Sequence, residues 1–187
     1  VQSGFARTGS WGAMDHYNVI PDLSTWTKSM GSGMPIATVI GKAEVMDAAA
    51  PGTIGGTYIG NPVACAASLV TIQYIKDVKL NERGVEVGNI IRTRFEAMQT
   101  KFPQIGDVRG LGAMMAIEFV KNGDPRQPDG DLCSKVVKGC AEQGLIIISA
   151  GTYKNYIRVL SPLTISNDLL NKGLDIIEEE IRKATLS

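Results

Sequence analysis

The sequence is poor in the residues that build metal sites and nucleophilic triads. It has one histidine, His16, and three cysteines, Cys65, Cys133 and Cys140, without a CxxC spacing. A zinc site or a Ser-His-Asp triad draws on histidines and closely spaced ligands, so the sequence argues against both. An odd number of cysteines without a disulfide framework is typical of buried free thiols in a reducing compartment, and we expect a cytoplasmic protein.

Charge of one sign and long apolar runs are also missing. The 187 residues include 19 basic and 19 acidic side chains, and aromatic residues make up only 6%. Balanced charge gives no electrostatic basis for binding nucleic acid or a membrane surface. No apolar run approaches transmembrane length, and no signal peptide is visible. The hydrophobic content of 44% is that of an ordinary globular protein with a core.

The chain starts at Val1 without an initiator methionine, and we expect it to be a fragment of something longer. Residues 1–80 alternate short apolar runs with helical stretches, which predicts an α/β layer. Residues 22–27 and 35–40 are predicted strands, and the second is apolar on both faces, as buried parallel strands are. Predicted helices in this part lie at residues 11–17, at residues 42–49 and, largely buried, from Asn61-Pro62 onward.

The second part of the chain has a different character. Residues 81–102 are predicted to form a connecting helix with one apolar and one polar face, and residues 103–187 a small α+β domain. The elements predicted there are strands at 105–109, 113–120, 145–149 and 156–160, and helices at 131–143 and 167–184.

Lys28 lies between a β-prone run and a glycine-rich segment, TKSMGSGMP at residues 27–35. An amine in that setting suits imine formation with a carbonyl cofactor, because glycines let the main chain turn tightly beside a bulky ring. To become a nucleophile the ammonium has to lose its proton, which requires desolvation or a cationic neighbour. A lysine before a glycine loop is more often simply solvated, so spacing alone leaves both interpretations open.

Two further segments contain candidate binding residues. GGTYIGNP at residues 55–62 puts Thr57 just before a helix start, where free backbone N–H groups and the helix dipole suit an anion. The alternative is a loop that only lets the helix pack closely. Arg158 lies on a predicted strand, opposite Ile157 and Val159, where a guanidinium can hold a carboxylate through two hydrogen bonds. A structural salt bridge is the alternative for Arg158.

Together these segments resemble the class III (ω-amino acid) aminotransferases, which have the fold type I architecture of PLP-dependent enzymes. VQSGFARTG at the start, TKSMGSGMP, GGTYIGNP and VRGLGAM all look like that family, in its order and near its spacing. The resemblance covers essentially the whole chain. It implies part of a large α/β cofactor domain followed by the small C-terminal α+β domain. Residues 151–165 are most similar to 4-aminobutyrate (GABA) aminotransferases.

The resemblance implies a role for each matching position. Lys28 would be the Schiff-base lysine that holds pyridoxal 5'-phosphate (PLP) and moves a proton between the substrate Cα and the cofactor C4′. Val1 would pack on the pyridine ring, and Gln2 would hydrogen-bond the phenolic oxygen of the cofactor. Thr57 would bind the PLP phosphate of the neighbouring subunit, which implies a homodimer with its active site at the interface. Arg158 would bind the α-carboxylate of glutamate or 2-oxoglutarate.

The implied reaction moves an amino group from an ω-amino acid, with 4-aminobutyrate as the leading donor, to 2-oxoglutarate. In the family, the aspartate that pairs with the pyridine nitrogen precedes the residue matched by Val1. The phosphate cup and the arginine for the ω-carboxylate also lie upstream, so we expect the isolated chain to be inactive. Acetylornithine, ornithine and other class III ω-aminotransferases are the alternatives among enzymes. A non-catalytic dimerisation module is the alternative outside them.

Overall fold

Two units make up the chain. The computed structural model describes residues 1–186, in which Val1–Arg83 forms one unit and a second unit begins at Gly84. The elements of the first unit are strands β1 (Leu23–Trp26) and β2 (Thr38–Gly41), helices α1 (Ala43–Met46) and α2 (Pro62–Asp77), and 3₁₀ helices at Ala13–Tyr17 and Lys28–Gly31. The domain division at residues 1–80, 81–102 and 103–187 stays a prediction.

Strands β1 and β2 form an antiparallel hairpin, which corrects the expectation of buried parallel strands. The register pairs Trp26 with Thr38 at the end nearest the connection. That connection, residues 27–37, is shorter than the crossover of about a dozen residues that a parallel pair requires. Val39 and Ile40 are 49% and 58% exposed. The apolar run in β2 therefore does not mark a strand covered on both faces.

Helix α2 is exposed over much of its surface, which corrects the predicted burial. Within this helix only Ala64, Ser68 and Ile75 are buried. Leu69 and Val70 are 69% and 70% exposed. Apolar residues occur on all sides of the helix, so composition alone could not identify the one side that packs on the 3₁₀ turn after β1.

A four-stranded antiparallel sheet forms the centre of the second unit, in the order β3-β4-β6-β5. Along β4, the buried Met115, Ile117 and Phe119 alternate with partly exposed residues, as a sheet with one covered face requires. Helix α4 packs against β4, β5 and β6, and α5 packs against α4. The elements are β3 (Ile105–Leu111), β4 (Met114–Phe119), β5 (Ile148–Ala150), β6 (Tyr156–Val159), α3 (Leu80–Lys101), α4 (Gly130–Glu142) and α5 (Asn167–Leu186).

The long helices follow their sequence signals closely. Helix α5 buries Leu170, Leu174, Ile177 and Ile181, a spacing of three and four residues that gives one apolar stripe. Helix α4 is capped by Asp129, whose Oδ1 accepts a hydrogen bond from the Leu132 N–H at 3.0 Å. The shorter predicted elements are reduced: the helix expected at residues 11–17 is a 3₁₀ helix, that at 42–49 is the four-residue α1, and the strand expected at 145–149 is the three-residue β5.

Helix α3 approaches the turn between β3 and β4 at backbone distance. A Cβ on Gly88 would lie 2.8 Å from the Cα of Gly112 and closer still to its carbonyl group. One helical turn further on, Arg92 Nη2 donates a hydrogen bond to Gly110 O at 2.8 Å. The absence of a side chain at Gly88 is what allows the helix and the turn to meet.

Residues 1–186 contain neither a membrane-spanning helix nor a metal-binding cluster, and no disulfide. No helix in this range has both the length and the apolarity to cross a membrane. The same residues contain no cluster of three or more His, Cys, Asp or Glu side chains arranged to hold a metal ion. All three cysteines are free thiols: Cys133 and Cys140 are buried, whereas Cys65 is partly exposed.

Candidate active site

Lys28 begins the 3₁₀ turn that follows β1. Its φ is 55°, in the left-handed region that non-glycine residues seldom occupy. The hydroxyl of Thr27 donates to Ile36 O at 2.7 Å and so ties the two ends of the connection together. Such backbone strain persists only where the surrounding contacts fix the conformation. The turn therefore holds Lys28 in a defined place.

The Lys28 side chain is exposed, and within residues 1–186 it makes no hydrogen bond or ion pair. Residues 1–186 thus do not supply the desolvation that a nucleophilic amine needs at this position. The reason is local: Met30 and Gly31 are the residues of the turn that face the interior. A Cβ on Gly31 would lie 2.7 Å from Ile36 Cγ2, which shows how closely that side packs. The opposite side of the turn presents the amine to solvent.

Helix α2 supports the Lys28 turn from the other direction. Ser32, which ends the turn in the left-handed conformation, has its Oγ 3.0 Å from Thr71 Oγ1 on α2. Thr71 Oγ1 also donates to Ala67 O at 2.8 Å within the helix. These contacts link the lysine turn to the helix that begins at the glycine-rich segment.

A cavity of about 520 Å³ opens beside the Lys28 turn. Thr27 and Thr57 both line it, whereas Lys28 does not. No lining residue is a carboxylic acid, so hydroxyl, amide and main-chain groups face the cavity and can meet an anion. The lining residues are Thr27, Pro35, Ile36, Ala37, Gly56, Thr57, Tyr58, Ile59, Gly60, Asn61 and Ala64.

The start of α2 offers fewer free donors than the sequence suggests. Asn61 Oδ1 accepts hydrogen bonds from the N–H groups of Val63 and Ala64, at 3.0 and 3.2 Å, so the cap uses the donors expected to face an anion. In the preceding loop, the N–H groups of residues 56–58 and the Thr57 hydroxyl find no acceptor within residues 1–186. An anion at this place would therefore meet the loop and Thr57, not the end of the helix.

Val1 lies alongside the strand that leads to Lys28. Its main-chain nitrogen is 3.5 Å from Thr25 O, and the residue is 50% exposed. Gln2 follows Val1 in the sequence and is partly buried. Val1 thus lies beside β1, and Lys28 comes two residues after the end of that strand; a site shared by Val1, Gln2 and Lys28 stays a prediction.

Arg158 belongs to the second unit and lies in the interior strand β6. It pairs with Ala116 of β4 on one side and with Ile148 of β5 on the other. Ile157 and Val159, 0% and 8% exposed, occupy the covered face of the sheet, so the prediction that Arg158 points to the opposite face is confirmed. Because strands pair with its backbone on both sides, the position of the Arg158 backbone is fixed.

Arg109 has local partners on the same face of the sheet. Its Nη1 contacts Asp107 and lies 3.4 Å from Glu118 Oε2. Its guanidinium carbon lies 4.6 Å from the centroid of the Tyr156 ring. Hydrogen bonds to Tyr156 and Asp107 raise the pKa of Arg109 above its usual value. Arg109 therefore contacts side chains of β3, β4 and β6.

The sequence did not identify several walls of the cavity. Pro35 and Ile36 carry no reactive group, so nothing in the sequence marks them as part of a site. Asn61 was recognised as a cap, but not as a group that lines the cavity and occupies the helix donors. Thr27 is the one residue that could have been found, because its hydroxyl directly precedes the singled-out lysine.

A family model described as "Aminotransferase class-III" matches residues 1–181. The chain belongs to the class-III aminotransferases, and its mixed helix and sheet structure is part of their α/β fold. Enzymes of this class depend on PLP.

Two curated relatives are identical to the chain at close to half of the aligned positions. It is 48% identical over 182 residues to the "Probable 4-aminobutyrate aminotransferase" of Bacillus subtilis, which covers 97% of this chain and 42% of that protein. It is 49% identical over 179 residues to "5-aminovalerate aminotransferase DavT" of Pseudomonas aeruginosa, covering 96% of this chain and 42% of that protein. The chain thus spans about two fifths of the length of these curated relatives.

The solved structures agree on the fold. A phospholyase from Arthrobacter, in complex with phosphoethanolamine, superposes with a TM-score of 0.90 at 30% identity, covering 97% of this chain and 44% of that chain. An acetylornithine aminotransferase from Elizabethkingia anophelis gives a TM-score of 0.84 at 34% identity, covering 98% of this chain and 44% of that chain.

Proposed function

We propose that the natural protein containing this sequence is a PLP-dependent aminotransferase. It transfers an amino group from an ω-amino acid, with 4-aminobutyrate as the leading donor, to 2-oxoglutarate. The observation that carries the proposal is Lys28, an exposed amine without a partner in residues 1–186, held by a strained turn in a chain of this family.

The residues present fit PLP. An aldehyde cofactor needs a lysine amine that is not engaged in an ion pair, and Lys28 meets that condition. A phosphate needs hydrogen-bond donors and no neighbouring carboxylate. Thr57 and the main-chain N–H groups of residues 56–58 supply such donors, in a cavity lined without acidic side chains.

Each residue of the proposed site has a different role toward the cofactor and the substrate. PLP, when bound, acts as an electron sink that stabilises negative charge on the substrate carbon. Lys28 would hold the cofactor through its Nζ, and the same amine would remove the proton from the amine-bearing carbon of the donor. Val1 would pack against the cofactor ring and Gln2 would bind its phenolic oxygen. Val1 lies beside β1, which leads directly to Lys28, and Gln2 is its neighbour in the sequence.

Thr57 and Arg158 complete the proposed set. Thr57 binds the phosphate in the active site of the neighbouring subunit, so the functional protein is a homodimer. Arg158 binds the α-carboxylate of glutamate or 2-oxoglutarate. Its support is its position between Ala116 and Ile148, which fixes the strand on both sides.

Reductive trapping tests the assignment of Lys28. The natural protein is treated with borohydride after loading with PLP, digested, and its peptides are identified by mass. We expect the pyridoxyl mass on the peptide that contains residue 28. The tag should vanish in Lys28→Arg, which keeps the positive charge, and turnover should vanish with it. Lys138→Arg is the matched control, because Lys138 is an exposed residue of α4, 82% exposed at its side chain.

Two outcomes would overturn the proposal. A pyridoxyl tag on any other lysine removes Lys28 from its role. Absence of turnover in the wild-type protein, with dimerisation unaffected by Lys28→Ala, favours the alternative of a non-catalytic dimerisation module.

The donor is decided by a substrate comparison. The relatives at 48% and 49% identity are named for 4-aminobutyrate and 5-aminovalerate, so the two donors differ by a single methylene. We expect 4-aminobutyrate to give the higher kcat/KM with 2-oxoglutarate as acceptor. A methylene in an apolar pocket is worth about 1–3 kcal/mol, or roughly 10- to 200-fold. A preference for acetylornithine or ornithine would select that branch of the family instead.

We further propose that the 187-residue polypeptide alone binds PLP weakly and has no turnover. The support is the exposed apolar surface around the cavity: Tyr58 is 86% and Ile59 67% exposed. Such surface is normally covered in a working enzyme. Titrating the purified polypeptide with PLP tests this, and a stable lysine-bound chromophore with transaminase activity would contradict it.

A further inference from the structure

Three aromatic residues form a cluster next to the Lys28 strand: Phe5, Trp11 and Trp26, hereafter the Trp26 cluster. The rings of Phe5 and Trp26 meet edge to face, with centroids 5.5 Å apart and planes at 85°. Phe5 meets Trp11 in the same way at 6.1 Å and 82°. Trp26 is the last residue of β1 and precedes Lys28 by two positions. The cluster therefore joins the first residues of the chain to the lysine strand.

The Trp26 indole packs closely against two glycines. A Cβ on Gly4 would lie 2.9 Å from its Cζ3, and one on Gly12 would lie 3.0 Å from its Cη2. Neither glycine has a positive φ, so their value here is the missing side chain and not a special backbone conformation. The Trp26 Nε1–H donates to Ser24 Oγ at 2.8 Å, which fixes the plane of the ring.

The segment that wraps the indole is held in a strained conformation. Phe5 and Ala6 are consecutive non-glycine residues with φ values of 53° and 68°, and both are buried. Their N–H groups donate to Trp11 O at 2.9 Å and Ser10 O at 3.1 Å. The hydroxyl of Thr8, only 2% exposed, donates to Ser3 O at 3.1 Å. Two strained residues in sequence persist only where such contacts determine them fully.

We propose that Trp26 is a positioning residue that sets Val1 and Gln2 relative to Lys28. The wrapped segment starts directly after Gln2, and the Val1 ammonium lies 3.5 Å from Thr25 O, beside the indole's own strand. The indole thus contacts the wrapped segment from within β1, just before the lysine turn. This inference rests on the proposed function of Lys28 and deepens it.

The test compares two tryptophan variants in the natural protein without substrate. Trp26→Leu removes the ring by which β1 contacts the wrapped segment. Trp11→Leu instead removes a ring that lies outside β1 and whose aromatic partner is Phe5. The dissociation constant for PLP comes from titration, and occupancy of Lys28 from borohydride trapping. The unfolding midpoint is measured on the cofactor-free protein. We expect Trp26→Leu to weaken PLP binding about tenfold, equivalent to about 1.4 kcal/mol. Trp26→Phe should recover most of that loss.

Comparison with stability separates positioning from simple packing. For the proposal to hold, Trp11→Leu must lower the unfolding midpoint about as much as Trp26→Leu and yet change the PLP dissociation constant far less. An equal effect of both variants on PLP binding overturns the inference. If Trp26→Leu does not fold, Gly4→Ala replaces it, because the added methyl group displaces the indole without deleting it. An unchanged dissociation constant in Gly4→Ala also overturns it. Failure of the proposed function itself is recognised separately, by a wild-type pyridoxyl tag away from Lys28.

Discussion

Replacing Gly88 with alanine should destabilise the second unit, although alanine is the better helix former. The new Cβ would lie 2.8 Å from Gly112 Cα, and nearer still to the Gly112 carbonyl carbon and oxygen. Ordinary contact begins at 3.4 Å. Helix α3 must therefore move away from the β3–β4 turn by at least ~0.6 Å, and neither partner is a flexible side chain that could yield. The hydrogen bond from Arg92 to Gly110 O, now 2.8 Å, lies in the path of that movement.

The expected loss follows from three contributions. Forcing an extra methyl group into a packed interface costs about 1–3 kcal/mol. Stretching the Arg92 hydrogen bond adds about 1 kcal/mol, at the low end for a charged donor because this side chain is partly exposed. Better helix propensity returns about 1 kcal/mol. The net change is about 2 kcal/mol of destabilisation, which lowers the melting temperature of a unit of this size by roughly 10 °C.

The assay has to report on the correct unit. Both tryptophans, Trp11 and Trp26, are in the first unit. Thermal unfolding is therefore followed by far-ultraviolet circular dichroism, together with hydrogen exchange of the buried Met115 and Ile117 amides. Gly173→Ala is the matched control: its added Cβ lies 3.5 Å from Leu145 Cδ1, an ordinary contact, so α5 should gain about 0.5–1 kcal/mol. If Gly88→Ala melts no lower than the wild type, the close approach of α3 to the turn is refuted.

Two further predictions concern titrating groups. Lys101, 2.6 Å from Glu178, and then Arg94 hold the pKa of Glu178 below its ordinary value of 4.5. The stabilisation that the ionised Glu178 gives the folded state should be complete above pH 4.5 and disappear as the pH falls through the lowered pKa. The free energies of unfolding of wild type and Glu178→Gln, measured in urea, should differ at neutral pH and converge in acid; a constant difference would contradict the assignment. Burial, and after it Asp129, raises the pKa of Cys133 to about 12, and burial with Glu180 raises that of Cys140 to about 11. Iodoacetamide at mildly alkaline pH should therefore label the partly exposed Cys65 first. The reason is that only a fraction of ~10⁻³ or less of the buried Cys133 and Cys140 side chains is in the reactive thiolate form. Equal labelling rates by mass spectrometry would show that the two buried thiols are accessible.

The sequence predicted those elements whose signals are local. Asn61-Pro62 marks the start of α2 because a cap and a helix-compatible proline act within one turn, and α5 reveals itself by a single apolar stripe. The pairing of β1 with β2 was mispredicted because an apolar run indicates that a strand exists but not which strand it pairs with. The burial of α2 was mispredicted for a related reason: Leu69 and Val70 are apolar, yet their exposure depends on what else is present.

The features of the candidate site also separate into those that local sequence signals predict and those that depend on the rest of the fold. Lys28, Thr57 and Arg158 were identified from residue type and spacing, and the orientation of Arg158 followed from strand alternation. The left-handed φ of Lys28 was not foreseeable, because a non-glycine residue seldom adopts it and no local sequence signal marks it. Nor was the exposure of its amine, which depends on Met30 taking the inward position in the turn.

The position of Arg158 in the interior strand β6 limits where insertions and deletions can be accepted in this part of the protein. Residues 151–154 of the connection from β5 to β6 are exposed, whereas Asn155 is buried and hydrogen-bonded to Phe119, so length changes confined to residues 151–154 leave both strands intact. Inserting or deleting one residue within β6 would instead rotate every following side chain to the other face of the sheet. The guanidinium would then point into the core and Ile157 into solvent. Natural variants of this protein should accordingly vary the hairpin tip in length while keeping β6 free of insertions and deletions.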